Sequence, residues 1–413
     1  MKKRYEVLRM MKKILTFAMA LCMAPLCALA EDAPAYDSFQ PLKELTQQHS
    51  FLLGAPLSFN QMNDTKYLDL VKYHFGSVTT TNEMKAYSLL SQMMCKISRD
   101  GMPQMNYYYA DKMVQWAQDN GLKVRGHVLV WDAYMNDWFF REGYQNNTPY
   151  VDQETMRLRL ESYITQVVTH FETKFPGVVY CWDVVNEAVG DNAGEYVAGD
   201  PRHLRTIRSG VSNLFRDHVG EDYVELSFLY ARNAAEALGA DIKLYYNDYN
   251  AFFEEKSNAI CALVESINSY ATNEDGSPRK LIDGVGMQGY IGGYGVQEGC
   301  LRESDLERIR TAIGKYAALD CDVQITEMAL RNFDLTQADK HAELYGKLFK
   351  VFMEVNAGEE KPLTGVAIWG LTDHPNIPRD NYTYRMNSPY AGLITETYAI
   401  KPSFESVYKA LTE

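Results

Sequence analysis

The chain contains eight short runs of apolar and β-branched residues, separated by longer stretches with the periodicity of amphipathic helices. Strands that alternate with helices form parallel sheets, because each helix carries the chain back to the edge where the next strand starts. Eight such units fit a closed barrel better than an open doubly wound sheet, so we predict a single α/β domain, the (β/α)8 TIM barrel. The predicted strands are 51–57, 75–80, 123–130, 178–185, 242–247, 283–289, 321–326 and 363–369. Predicted helices include 104–120, 154–174, 256–271, 303–318 and 336–356.

The first 30 residues have the composition of a secretory signal peptide. Lys12 and Lys13 precede an apolar run from Ile14 to Leu29, and small residues end this run before Glu31. A short membrane anchor is the alternative, but the run is shorter than the roughly 20 residues that span a bilayer. We therefore expect residues 1–30 to be removed and residues 31–413 to form the barrel of a secreted protein, periplasmic or extracellular.

The charge balance restricts the possible partners. The chain carries a formal net charge of −13 and its basic residues form no run, so it repels phosphate backbones and anionic membranes. We expect no nucleic-acid partner and no membrane insertion, and a neutral polymer is the more suitable substrate. No glycine-rich phosphate-binding motif and no metal-ligand spacing occurs, so we predict neither a metal nor an organic cofactor. We expect a monomer.

Two of the predicted strands deliver a glutamate at their carboxyl ends. Glu187 follows the strand 178–185, and Glu327 follows the strand 321–326. Enzymes with this barrel place their catalytic groups at the carboxyl ends of the strands. Two carboxylates on strands that neighbour in a closed barrel are what a two-carboxylate glycosidase needs. We therefore predict Glu187 and Glu327 as the catalytic residues.

The other predicted strand ends are rich in amides, cations and aromatic rings. Amides and cations suit sugar hydroxyls, which donate and accept hydrogen bonds, and aromatic rings pack on the apolar faces of a pyranose. Taken singly, a tyrosine here is more often a half-buried ring, and His127 is as often structural as functional. The presence of such residues at the carboxyl end of every predicted strand favours a binding site. These residues are Asn82, Lys85, His127, Trp131, Asn186, Asn247, Asp248, Gln288, Tyr290, Trp369 and Asp373.

Several ordered motifs together resemble a known family. They are WDVVNEA at 182–188, ITE at 325–327, GHxLVW at 126–131, GxQ at 286–288, WGLTD at 369–373 and IKP at 400–402. From about residue 51 to its end the chain resembles the family 10 glycoside hydrolases, which are retaining endo-β-1,4-xylanases on an (α/β)8 barrel.

The resemblance implies roles for individual residues. Glu187 is expected to be the acid/base and Glu327 the nucleophile, with the charge of Glu327 helping to raise the pKa of Glu187. Asn186 is expected to bond the 2-hydroxyl of the sugar at the cleaved position. Lys85 and His127 would hold its 3-hydroxyl, and two tryptophans would wall the subsite. The full predicted set of substrate-binding residues is Asn82, Lys85, His127, Trp131, Asn186, Gln288, Tyr290 and Trp369.

The chain departs from the family's pattern near these motifs. A histidine and an aspartate that support one another beside the nucleophile in the family are both replaced, by Tyr290 and Ala329. We expect the Tyr290 hydroxyl to donate to Glu327 in their place. Smaller residues elsewhere would leave room in the glycone subsites. The departing positions are Thr81, Ala86, Asp132, Tyr134, Tyr290, Ala329 and Ile377.

The sequence therefore predicts a retaining endo-β-1,4-xylanase that acts on plant cell-wall xylan through a covalent glycosyl-enzyme intermediate. Two alternatives stay open. In the first, the barrel hydrolyses a β-1,4-glucan or another hemicellulose. In the second, it is a non-catalytic barrel that binds carbohydrate without cleaving it. Both glutamates and Asn186 are present in the chain, which favours an active enzyme.

Overall fold

The computed structural model of the chain describes residues 35–293, 302–379 and 381–413. The predicted signal peptide, residues 1–30, lies outside the described residues. Within the described ranges, no helix is both long enough and apolar enough to cross a bilayer.

Eight parallel strands close into a barrel in the order β1-β10-β9-β8-β7-β4-β3-β2, and β2 pairs with β1. This arrangement confirms the predicted TIM barrel. Two very short strands, β5 and β6, form a separate antiparallel hairpin after β4. The strands are β1 (Leu52–Leu57), β2 (Ser77–Thr80), β3 (Lys123–Val130), β4 (Val179–Asn186), β5 (Ile207–Arg208), β6 (Val211–Ser212), β7 (Lys243–Asp248), β8 (Gly284–Ile291), β9 (Asp322–Leu330) and β10 (Leu363–Ile368).

Helices surround the barrel and fill the connections between strands. They are α1 (Leu42–Gln48), α2 (Thr65–His74), α3 (Ala86–Leu89), α4 (Gln92–Lys96), α5 (Tyr108–Asp119), α6 (Gln153–Lys174), α7 (Leu214–His218), α8 (Tyr223–Leu238), α9 (Glu254–Ser269), α10 (Glu303–Ala317), α11 (Ala338–Val355), α12 (Tyr382–Met386) and α13 (Pro402–Thr412). Each helix predicted from the sequence is present, and its ends differ by at most a few residues.

The helix α8 was not among the helices predicted from the sequence. Its residues from Tyr223 to Phe228 are all buried, including Glu225 and Ser227. Over its whole length, however, the segment has a one-sided apolar pattern comparable to that of α9, which was predicted. The periodic signal for α8 was therefore present in the sequence, and the prediction missed it.

The strand β9 is longer than predicted, and this changes the place of Glu327. After a register shift, Tyr290 and Ile291 of β8 pair with Ala329 and Leu330 of β9. Glu327 therefore lies within β9 and not just past the end of a strand, whereas Glu187 directly follows β4 as predicted. Pairing with the long strand β8 extends β9 beyond its β-branched segment.

A buried polar layer fills the barrel just below the carboxyl ends of the strands. Arg125 bonds both carboxylate oxygens of Asp183, and its Nη1 donates to Oε1 of Gln324 at 2.7 Å. Gly286 allows the close approach of this layer, because a Cβ there would lie 2.3 Å from Oδ1 of Asn247 and 2.9 Å from Nη2 of Arg125. Satisfied charges and amides thus form a rigid floor for the residues above.

One strand-end carboxylate belongs to the fold. Asp373 is buried and accepts from Nζ of Lys401 at 2.7 Å and from the main-chain nitrogen of Gly392 at 2.9 Å. Lys401 directly precedes α13. The WGLTD and IKP segments of the sequence therefore join the last strand to the last helix.

Candidate active site

Glu187 and Glu327 share an unusual backbone conformation. Their φ angles are +57° and +51°, in the left-handed region that residues with a Cβ rarely adopt. Such residues are held there by their surroundings and cluster at functional sites. Glu187 lies at the end of β4 and Glu327 on β9. The expectation that these two strands are neighbours was wrong, because β7 and β8 lie between them in the barrel.

A continuous set of hydrogen bonds connects the two glutamates through the strands that separate them. Nε2 of Gln288, on β8, donates to Oε1 of Glu187 at 3.0 Å and to Oδ1 of Asn186 at 3.2 Å. Nδ2 of Asn247, on β7, donates to Oδ1 of Asn186 at 2.9 Å and to Oε1 of Glu327 at 3.3 Å. The two carboxyl groups therefore belong to one site.

Glu327 is surrounded by donors, as a nucleophile that must be ionised requires. The Tyr290 hydroxyl donates to Oε2 of Glu327 at 2.7 Å, which confirms the contact expected from the sequence. Nε2 of His127 lies 4.0 Å from Oε1. Burial nevertheless raises the pKa of Glu327, while His127 and the Tyr290 hydrogen bond act in the opposite direction. Only 12% of the Glu327 side chain is exposed.

His127 is both anchored and adjacent to the nucleophile. Its Nδ1 lies 2.9 Å from Oδ2 of Asp183, and Asp183 is paired on its other side with Arg125. Burial acts against ionisation of Asp183, but Arg125 and His127 hold the pKa of this carboxyl below its usual range. An ionised Asp183 accepts a hydrogen bond from the Nδ1–H group of His127, and Nε2 then faces Glu327.

Glu187 has a different environment from Glu327. Burial raises the pKa of Glu187, Arg208 opposes this effect, and Asp248 is the carboxylate that adds most to it. The charge of Glu327 was expected to help raise the pKa of Glu187. Burial is instead the largest cause, and repulsion between the two glutamates raises the pKa of Glu327.

Arg208 is a site residue that the sequence analysis missed. Its Nη1 lies 2.9 Å from Oε2 of Glu187, and its Nε and Nη2 donate to Asp132 at 3.0 Å and 2.8 Å. Arg208 lies on the hairpin strand β5, in a segment without a recognisable motif. Asp132 was noted only as a departure from the family's pattern. The acidic side chain of Asp132 beside a predicted catalytic site was a signal in the sequence that a cation lies nearby.

Lys85 forms a cluster with the predicted residues on the neighbouring strands. Its Nζ lies 3.2 Å from Oδ1 of Asn82, 5.1 Å from the ring centre of Trp131 and 4.7 Å from that of Tyr134. Burial lowers the pKa of Lys85. Ala86, which follows it, is 3% exposed and packs in the hydrophobic core, so the expected extra room at this position is not open to a substrate.

Trp369, the last of the predicted residues, lies beside Tyr290. Trp369 packs against a small cluster formed by Tyr290, Ala329 and Ala391. Two buried donors, Nδ2 of Asn186 and Nε1 of Trp131, have no hydrogen-bond acceptor among the residues that the structure describes. All of the site residues predicted from the sequence thus lie at the carboxyl end of the barrel, and the roles given to them stay predictions.

A comparison with known families decides the classification. The model of glycosyl hydrolase family 10 matches residues 41–410. The chain belongs to this family. A protein of Caldicellulosiruptor saccharolyticus named putative endo-1,4-β-xylanase is 34% identical over 301 residues, which cover 70% of this chain and 86% of that protein. Endo-1,4-β-xylanase A of Thermotoga maritima is 33% identical over 359 residues, covering 83% of this chain and 28% of that protein. This family 10 chain therefore spans less than a third of the Thermotoga protein.

A solved family 10 structure agrees in fold. The structure is that of the Clostridium thermocellum endo-1,4-β-D-xylanase 10B CBM22-1 and GH10 modules in complex with xylohexaose. It superposes with a TM-score of 0.74 and 28% identity, over 90% of this chain and 67% of that chain.

Proposed function

We propose that this family 10 chain is a retaining endo-β-1,4-xylanase that cleaves internal bonds of xylan. The observation that carries the proposal is the pair Glu187 and Glu327. The two residues share one hydrogen-bond network, but each has a different kind of partner. Glu327 is bonded by the neutral hydroxyl of Tyr290, and Glu187 by the cation Arg208. Two carboxyl groups in distinct environments can take the two distinct roles that retention requires.

In the first step Glu327 acts as the nucleophile. Its carboxylate oxygen forms a bond to the anomeric carbon as the glycosidic bond breaks, and Glu187 gives its proton to the leaving oxygen. The products of this step are a shortened chain with a free hydroxyl and a covalent glycosyl ester on Glu327. Tyr290 and Asn247 hold the attacking carboxylate in a fixed orientation.

In the second step water releases the sugar. Glu187, now a carboxylate, takes a proton from water as the water oxygen bonds to the anomeric carbon and the ester bond to Glu327 breaks. Two inversions give net retention, and Glu187 is protonated again for the next cycle.

The surrounding residues suit the sugar that is cleaved. Nδ2 of Asn186 is a buried donor next to both glutamates, and it is suited to the 2-hydroxyl, a contact that strengthens in the transition state. Lys85 and His127 would bond the 3-hydroxyl. Trp131 and Trp369 would pack against the ring from two sides. Asn82 and Gln288 hold Lys85 and Glu187, so their part in binding is also to orient these residues.

The test is a panel of polysaccharides with products resolved by chain length. We expect xylan to be cut into short oligosaccharides, with much slower release from mixed-linkage glucan, and proton NMR should show the β-anomer forming first. Preference for glucan would support the glucanase alternative, and tight binding without cleavage would support the non-catalytic one. Glu327→Gln serves as the inactive control of the same size.

We also propose that residues 1–30 direct secretion. The support is the order of basic, apolar and small residues in this segment. Amino-terminal sequencing of protein recovered from the periplasm or the medium should give a start near Glu31. Recovery of the uncleaved chain inside the cell would contradict this.

A further inference from the structure

Arg208 lies between two carboxylates that come from different strands. Its Nη1 faces Glu187 at 2.9 Å, and its other side forms two hydrogen bonds with Asp132 at 3.0 Å and 2.8 Å. Asp132 follows β3, and Arg208 lies on the hairpin that follows β4. Nη2 of Arg208 also donates to the main-chain oxygen of Glu187 at 2.8 Å, so the guanidinium is held by both the side chain and the main chain of the acid/base residue.

Both carboxylate oxygens of Glu187 face a donor. Oε1 accepts from Gln288 at 3.0 Å, and Oε2 accepts from Arg208. This arrangement suits the carboxylate form, which accepts a proton from water. A protonated oxygen can still accept a hydrogen bond, but its own O–H takes one of the available directions and a cationic donor opposes the added proton. Protonation of Glu187 is therefore favoured when one of the two donors withdraws.

We propose that Arg208 is this donor, and that Asp132 and Arg208 together are positioning residues that control the proton on Glu187. Asp132 holds Arg208 by two charge-assisted hydrogen bonds when the contact with Glu187 is released, so the cation is never left unpaired in the site. The proton then sits on Oε2 and passes to the leaving oxygen. Arg208 returns to the carboxylate that this transfer creates.

The charges around Glu187 agree with this control. The guanidinium of Arg208 lowers the pKa of Glu187, while Asp132 and Asp248 raise it. Arg205 donates to the main-chain oxygen of Glu187 at 3.3 Å. The titratable or charged side chains that face Glu187 from the surrounding elements are Lys85, Asp132, Tyr134, Arg208, Asp248 and Glu327.

The inference rests on the proposed role of Glu187, and its test uses two variants that act in opposite directions. Arg208→Met removes the cation, so Glu187 keeps its proton to higher pH and the basic limb of the pH–rate profile moves to higher pH. Asp132→Asn leaves the cation without its counter-charge, so the basic limb moves to lower pH. The double variant should return the limb close to its original position.

The rates of the two chemical steps give a second readout. With an activated aryl β-xyloside the first step needs little protonation, so turnover is governed by the second step, in which Glu187 must be a carboxylate. Arg208→Met should therefore lower kcat about tenfold while kcat/KM changes little. Arg208→Lys should restore the basic limb, since it restores the charge, but not the full kcat, since lysine cannot bond both partners in one plane.

The matched control is Arg157→Met. Arg157 pairs with Asp222 at 2.7 Å on the outer surface of the barrel. Within the described part of the chain it contacts no site residue, so its loss should leave the pH profile in place. Movement of the basic limb in the same direction in Arg208→Met and Asp132→Asn, or no movement in either, would overturn the proposal.

Carbon NMR of protein labelled at the glutamate carboxyl carbons separates this inference from the proposed activity. The Glu187 signal is assigned by its loss in Glu187→Gln, and its titration is followed in each variant without any substrate. If wild-type protein cleaves no polysaccharide, the proposed function fails, but the opposite shifts of this signal in the two variants remain measurable. Arg208→Gln, which also removes the cation, and Asp132→Asn carry the test if Arg208→Met does not fold.

Discussion

The hydroxyl of Tyr290 donates a 2.7 Å hydrogen bond to Oε2 of Glu327, from the strand next to the one that carries the glutamate. Tyr290 pairs in register with Ala329, and both pack in one small cluster with Ala391. The small side chain of Ala329 leaves space for the phenol ring. A tyrosine hydroxyl donates a hydrogen bond without the help of an acidic partner. Tyr290 and Ala329 can therefore replace the family's histidine and aspartate together, and Glu327 still has a donor.

Tyr290→Phe should slow the reaction without unfolding the protein. The lost donor to a charged group is worth about 1.5–3 kcal/mol, so kcat should fall roughly ten- to a hundredfold. The hydrogen bond lowers the pKa of Glu327, so its removal raises this pKa and the acidic limb of the rate profile moves to higher pH. Rates measured from acid to neutral pH test both effects.

The control for this variant is Tyr270→Phe. The Tyr270 hydroxyl donates to Asp222 at 2.7 Å on the surface, so the same chemical change there should alter neither kcat nor the acidic limb. An undiminished kcat with an unmoved acidic limb in Tyr290→Phe would reduce Tyr290 to a wall of the subsite.

Glu187→Ala should affect substrates according to their leaving groups. Xylan needs a proton on its leaving oxygen, and general acid catalysis contributes about 10²–10⁴-fold, so kcat/KM on xylan should fall by this factor. An activated aryl xyloside leaves without a proton, so its kcat/KM should fall far less. Equal losses of kcat/KM on both substrates would argue against Glu187 as the acid.

Glu327→Ala should abolish turnover of both classes of substrate, because neither reacts without the nucleophile. The side chain is largely buried, so some loss of stability is expected as well, since Tyr290 and Asn247 lose their acceptor. Thermal unfolding of the variant separates this loss from inactivation. Residual turnover comparable to wild type in a folded variant would remove the retaining assignment.

Much of this site could be predicted from the sequence, because its residues lie next to strands that have their own local signal. Glu187 follows a buried β-branched run, and Glu327 follows another, so each is placed by its immediate neighbours. A closed barrel then brings all of the strand ends together. The catalytic pair and the residues beside it follow from these two facts.

The contacts of Arg208 could not be predicted in the same way. Arg208 is 76 positions from Asp132, and it meets Asp132 only because the hairpin of β5 and β6 folds back towards the loop after β3. The hairpin strands are two residues each, too short to give a periodic signal. The position of Asn247 at a strand end could be predicted from the sequence. Its hydrogen bonds to Asn186 and Glu327 could not, because they depend on the order of the strands in the closed barrel.

Gly286→Ala should damage both stability and activity, because the buried floor of the site has no space for a methyl group. The added Cβ would lie 2.3 Å from Oδ1 of Asn247 and 2.9 Å from Nη2 of Arg125. Both side chains are held by other bonds, since Asn247 Oδ1 accepts from Thr326 at 2.5 Å and Arg125 is paired with Asp183. Overpacking of this kind typically costs about 1–3 kcal/mol of the free energy of unfolding. A displaced Asn247 also loosens its contact with Glu327, so kcat should fall further than the loss of folded protein explains.

Gly314→Ala is the matched control for this last change. Gly314 lies within α10, and a Cβ there would meet no atom within 4 Å, so alanine should stabilise the helix by about 0.5–1 kcal/mol and leave kcat unchanged. Denaturant unfolding and initial rates on xylan measure both variants side by side. A Gly286→Ala protein as stable and as active as wild type would mean that the Arg125 layer can shift, and that it does not hold Asn247 in place beneath the two glutamates.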